Sequence, residues 1–147
     1  MTHKEFLEGL DQQRIVDAIA AAEKQTSGEI RVHIQPTTRG TAPRPWAEKT
    51  FERLGMTKTA LRNGVLLFIA SEDRQFVILG DSGIHEKVPP GFWDSISDKL
   101  TERFKAGEFT DGIVEAIEAA GSHLAAFFPR GEDDVDELPD TINVSDD

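Results

Sequence analysis

Asp81, His85 and Glu86 lie close together directly after Gly80, and each carries a side chain that can ligate a cation. Carboxylate oxygens suit hard cations such as calcium and magnesium, and an imidazole beside them extends the set to zinc. Two more donors come within reach if the strand ending at Gly80 runs antiparallel to strands beginning near Glu29 and Asn63, because its exit then lies at their starting edge. The candidate metal shell is thus Asp81, His85, Glu86, Glu29 and Asn63, with calcium, magnesium or zinc as the cation. The spacing permits this without requiring it. A plainer reading is favoured, in which Asp81 caps a turn through the backbone while His85 and Glu86 face solvent.

A second polar cluster, Glu72-Asp73-Arg74, faces the Thr37–Pro45 loop at the opposite edge of the sheet. An Asp-Arg pair can orient a phosphate, but in so short a connection it more often ties off the hairpin through local hydrogen bonds, and that is the preferred reading. Four histidines, at positions 3, 33, 85 and 123, form no HExxH pair or triad, and His33, flanked by apolar neighbours, reads as a partly exposed strand residue. There is no Gly-x-Ser-x-Gly elbow, no phosphate-cradling glycine loop and no cysteine, so nucleophilic catalysis finds no support. Trp46, Phe51, Trp93, Phe104, Phe127 and Phe128 fall at helical core spacings, which places packing ahead of an aromatic ligand box.

The elements that would position these residues follow from periodicity. Ile15, Ala18, Ile19 and Ala22 recur at helical spacing before Ser27-Gly28, and Ile30, Val32 and Ile34 then alternate with Arg31 and His33 in a strand that ends at Pro36. A loop and a helix through Trp46, Phe51 and Leu54 lead to Val65–Ala70, an uninterrupted apolar run of the kind found where both faces of a central strand are covered. Four polar residues join it to Phe76–Leu79, which makes an antiparallel hairpin, whereas the helix-bearing connection before it fits a right-handed parallel crossover. Helices follow through Trp93, Ile96, Leu100 and Phe104, and through Ile113, Ile117, Leu124 and Phe128. The expected fold is a three-layer α/β/α sandwich, a short mixed sheet covered by about four helices.

With 147 residues the chain fits one domain, taken as residues 1–130. The net charge is −11, yet eight acidic side chains and no basic ones lie in residues 132–147, leaving −3 for the rest. Residues 131–147 therefore read as an acidic tail without stable structure. No basic face is available to displace counterions from phosphates, which disfavours nucleic acid as a partner. The longest apolar run is too short to cross a bilayer and the start lacks a signal-peptide core, so a cytoplasmic monomer with a protein as its class of partner is expected.

Several segments together resemble the TPM domain family. Thr26-Ser27-Gly28-Glu29-Ile30 is similar to its Thr-Gly-Gln-Ile element, Arg62-Asn63-Gly64-Val65-Leu66-Leu67 to its Asp-Asn-Gly-Val-Leu-Leu element, and Glu72-Asp73-Arg74 to its Asp-Arg hairpin. Gly80–Glu86 stands in place of its Gly-Tyr-Gly-Leu-Glu loop, and Phe104–Ile113 resembles its closing Phe-x-x-Gly-x-(Phe/Tyr)-x-x-Gly-Ile run. The resemblance implies an α/β/α domain whose relatives are often exported or membrane-anchored, with repair and assembly roles in photosynthetic members and proposed divalent-cation or phosphatase functions. This chain departs from the pattern with Arg62 in place of an acid, and with Asp81 and His85 in its glycine loop. The leading functional expectation is a binding or accessory module, responsive to a divalent cation; the alternative is a metal-assisted phosphoesterase.

Overall fold

In a computed structural model, which describes residues 1–131 and 142–146, the central apolar run forms β2 (Gly64–Ala70), buried along its whole length. Its neighbour β1 (Glu29–Gln35) runs parallel, with Val32 opposite Leu67, and β3 (Gln75–Gly80) returns antiparallel, with Ile78 opposite Leu67. The crossover between β1 and β2 carries α3 (Pro43–Arg53) and a 3-10 turn at Met56–Lys58.

Alternation along the strands sorts the core into two layers. Ile30, Val32 and Ile34 with Val65, Leu67 and Ile69 pack beneath α1 (His3–Glu8), α2 (Gln12–Glu23), α5 (Asp94–Lys105) and α6 (Phe109–Ala125). Leu66, Phe68, Ala70 and Leu79 face the other way, against Ala47, Phe51 and Met56. This is the three-layer arrangement with a mixed sheet that the sequence implies. α2 begins where Asp11 accepts from Arg14 N at 3.2 Å, and its buried stripe is the expected Ile15, Ala18, Ile19 and Ala22.

Six helices, rather than about four, are found among the described residues. α1 has six residues and α4 (Ser82–His85) four, too few turns for a hydrophobic period to show. Short as it is, α1 is fixed by a capping box, in which Thr2 Oγ1 accepts from Glu5 N and the Glu5 carboxylate accepts from Thr2 N.

The acidic tail also differs from expectation. Ile142–Val144 forms β4, which pairs parallel with β1 and makes the sheet order β3-β2-β1-β4. Alternation explains it: Ile142 packs against the helical layer, Asn143 turns to the opposite face, and Ser145 N donates to Ile34 O at 2.9 Å. The remaining tail residues, 132–141 and 147, lie outside the described residues. Deleting residues 142–147 is expected to lower the melting temperature by several degrees, from about 1–2 kcal/mol of lost pairing and burial. An unchanged melting curve would show that β4 adds nothing to the sheet.

With β4 in place β1 is an interior strand, and all seven of its residues are buried, not one face only. His33 is accordingly 0% exposed rather than partly exposed. Its ring stacks on Phe68, and its two nitrogens are satisfied by Gln35 Oε1 at 2.9 Å and Asn143 Nδ2 at 2.6 Å. Gln35 Nε2 passes the chain of hydrogen bonds on to Thr37 O. Burial holds the His33 pKa below its ordinary value; the Gln35 contact opposes that shift, and the charges of Arg53 and Arg31 add to it. A neutral ring, donating to Gln35 and accepting from Asn143, fits this setting.

Candidate functional site

At the starting edge of β1 and β2, Asp81 follows β3 and caps α4. It is 7% exposed, and both of its oxygens are engaged. Arg62 donates Nε to Oδ2 at 2.7 Å and Nη2 to Oδ1 at 2.9 Å, while Ser82 N donates to Oδ1 at 2.7 Å. Such a two-pronged guanidinium–carboxylate contact fixes geometry as well as charge. The hydrogen bond with Asp81, then its charge, raises the pKa of Arg62. Asp81 therefore acts as a turn-capping, ion-paired carboxylate, in line with the plainer sequence reading.

The other four residues of the candidate shell are distributed around this edge. Glu29 is buried and lies opposite Gly64, whose absent Cβ would meet Phe51 and Met56 in the α3 layer. Asn63 precedes Gly64, so it takes the opposite side of the sheet, where Nδ2 donates to Ser27 Oγ at 3.2 Å. His85 and Glu86 are exposed at the end of α4. The topology thus gathers the five at one edge, as antiparallel pairing of β3 requires, but sheet alternation sends Glu29 and Asn63 to different layers. Among the described residues no three His, Asp or Glu side chains stand where they could share a metal ion.

The opposite edge is built differently. Asp73, in the β2–β3 turn, accepts from Thr38 N at 2.7 Å and from the hydroxyl of Thr37 at 2.9 Å, tying the loop after β1 to the hairpin. The Thr38 amide is the main reason its carboxyl titrates below the ordinary range. Glu72 reaches back to α1, accepting from His3 N at 2.7 Å. These side chains make structural hydrogen bonds, but across the fold to the loop after β1 and to α1, not locally within the hairpin as preferred from sequence. Arg74 does not join them.

Arg74 instead lines an open cleft of about 940 Å³ beside the hairpin. Ile69, Ala70 and Ser71, at the carboxyl end of β2, form part of its wall, and Thr101 and Lys105 of α5 form another. Periodicity offers little warning of such a site, because its lining comes from α1, the hairpin, α5 and the start of α6. Of the six aromatics read as helical core only Phe104 reaches it; of the other three phenylalanines there, Phe76 opens the apolar run of the third strand and Phe109 holds the (Phe/Tyr) position of the closing family run, while Phe6 belongs to no motif.

A family model described as the TPM domain matches residues 1–123. Among solved structures, the BA42 protein of the psychrophilic bacterium Bizionia argentinensis is similar, with 47% identity, a TM-score of 0.86, and coverage of 91% of this chain and 92% of that one. The N-terminal domain of cg2496 from Corynebacterium glutamicum shares the fold, with 17% identity, a TM-score of 0.61, and coverage of 85% of this chain and 77% of that one. No curated protein matches the chain. Among the described residues no helix is long and apolar enough to cross a membrane. On the family match over residues 1–123 and the likeness to BA42 along nearly its whole length, the chain belongs to the TPM domain family.

Proposed function

We propose that this TPM domain is a binding module whose ligand occupies the cleft at the carboxyl end of β2. The observation that carries the reading is a contrast between the two ends of the sheet. At the starting edge the best-placed carboxylate, Asp81, is committed to Arg62 and Ser82. At the other end stands a cleft of about 940 Å³, in the size range of small-molecule sites, where the side chains of Arg74 and Lys105 have no hydrogen-bond or ion-pair partner among the described residues. Ligands of open α/β sheets gather at the carboxyl ends of parallel strands, which is where this cleft lies. The alternative, a metal-assisted phosphoesterase, calls for two or three carboxylates converging on a cation.

The test is a thermal-shift panel of small amphipathic compounds, divalent cations and phosphoesters, run on the wild type and on Thr101→Trp, whose indole would obstruct the cleft from its α5 wall. A ligand at a hundred times its Kd stabilises the folded state by about 2.7 kcal/mol, so a bound compound should raise the melting temperature by several degrees. That rise should vanish in Thr101→Trp. Stabilisation by a cation or phosphoester that survives in Thr101→Trp, yet is abolished by Asp81→Asn with Glu86→Gln, would transfer the function to the starting edge.

A further inference from the structure

Resting on the binding reading above, we infer that the cleft takes a free fatty carboxylate, its chain against a cluster of phenylalanines and its head group held by Arg74 and Lys105. The apolar half of the case is the cluster itself. Phe6, Phe76, Phe104 and Phe109 come from α1, β3, α5 and α6, and all four line the cleft. Their rings form one connected set: Phe6 to Phe109 at 4.9 Å between centroids, Phe104 to Phe109 at 5.3 Å, and Phe76 to Phe104 at 5.8 Å. Phe6 is buried, whereas Phe76, Phe104 and Phe109 remain partly open, so the cluster presents aromatic surface to the cleft instead of closing over it. A ligand with an extended apolar body removes that surface from water.

The hydroxyl of Thr101 is already donated to Ser97 O at 2.8 Å, so Ser97 and Gln75 supply the neutral polar side chains left open to a ligand. Charge specifies the other end of the ligand. The chain carries 27 acidic side chains against 16 basic ones, yet among the described residues no Asp or Glu lines this cleft. Its two charged side chains, Arg74 and Lys105, are both cations and both exposed. An apolar wall with two unspent cations and no acid selects an amphipathic anion over a neutral or cationic amphiphile of the same length.

The experiment uses the full chain and sodium dodecanoate below its aggregation threshold, followed by titration calorimetry and by amide shifts, with dodecyltrimethylammonium as the same chain bearing the opposite charge. One equivalent of dodecanoate is expected to bind, with shifts centred on Ile69, Ser71, Thr101 and Gly107, and the ammonium at least tenfold more weakly. Arg74→Gln with Lys105→Gln should weaken dodecanoate at least tenfold at an unchanged melting temperature, since both side chains are exposed and unpaired among the described residues. Equal affinity for the two amphiphiles, or undiminished dodecanoate binding in the double variant, would overturn the carboxylate assignment; if Thr101→Trp still blocked both amphiphiles, the cleft would stand as a binding site. Binding that Thr101→Trp leaves intact would overturn both readings. Capture of the protein by anionic phospholipid vesicles without any response to free dodecanoate would likewise overturn the assignment, in favour of a lipid surface.

Discussion

Leu67→Ala and Phe68→Ala are each expected to lower the free energy of unfolding by about 2–5 kcal/mol, a large share of what a domain of this size has. The two residues are adjacent on β2 and face opposite layers. Leu67 is packed among the residues beneath α2, α5 and α6, and Phe68, 0% exposed, lies under α3 with its ring against His33. Each truncation removes transfer free energy and leaves a cavity that a sheet held by pairing on both sides cannot collapse to fill. Phe68→Ala should fall toward the upper end, because the stacked His33 loses its neighbour as well. Urea unfolding measures both, with an unchanged slope expected. Leu61→Ala, at a residue 55% exposed, supplies the contrast and should stay within about 0.5 kcal/mol. A near-neutral result at either core position would show that its face of the sheet is not sealed.

The centre of the fold is legible in the sequence for the same reason that it is sensitive. Val65–Ala70 is apolar without interruption because both of its faces are covered, and the polar Ser71-Glu72-Asp73-Arg74 turn leaves only an antiparallel return. Where the pattern misleads, a polar side chain is buried by pairing with another polar side chain. His33 reads as partly exposed because the alternation of Arg31 and His33 with apolar residues suggests one wet face; the structure buries that face and satisfies His33 with Gln35 and Asn143. Half of that arrangement comes from β4, three residues long in an acid-rich segment, where charge density outweighs the Ile142–Val144 alternation in any local reading.

The candidate site divides along the same line. Topology alone brings Asp81, Glu29 and Asn63 to one edge, but which layer each side chain enters depends on register, and the ion pair that occupies Asp81 depends on the conformation of Arg62. The cleft is the least legible feature. Its four phenylalanines are spread from residue 6 to residue 109 and share no period.

Gly83→Ala is expected to cost about 3 kcal/mol, the upper end of what overpacking usually takes, although the residue sits in a short surface helix. A Cβ at Gly83 would lie 2.1 Å from Leu61 O and 2.7 Å from Arg62 O, and both are backbone atoms that no rotamer change can move aside. The close approach has a purpose in the local structure: Gly83 N donates to Arg62 O at 2.8 Å, which lays the first turn of α4 on the turn before β2. Arg62 holds a φ of 52°, a left-handed conformation that costs a non-glycine residue about 1–2 kcal/mol and that persists only while its surroundings fix it. Pushing α4 away would break the hydrogen bond from Gly83 N to Arg62 O, free Arg62 to relax, and separate its guanidinium from Asp81. Gly40→Ala supplies the contrast of left-handed backbone without overlap, since Gly40 has a φ of 77° and nothing among the described residues lies within 4 Å of where its added methyl group would sit, and should cost only about 1 kcal/mol. Urea unfolding of the two variants, with the Arg62 side-chain NH resonances followed by NMR, measures the difference. Equal and small losses, with the Arg62 resonances unmoved, would show that α4 is free to shift and that the Arg62–Asp81 pair does not depend on the contact at Gly83.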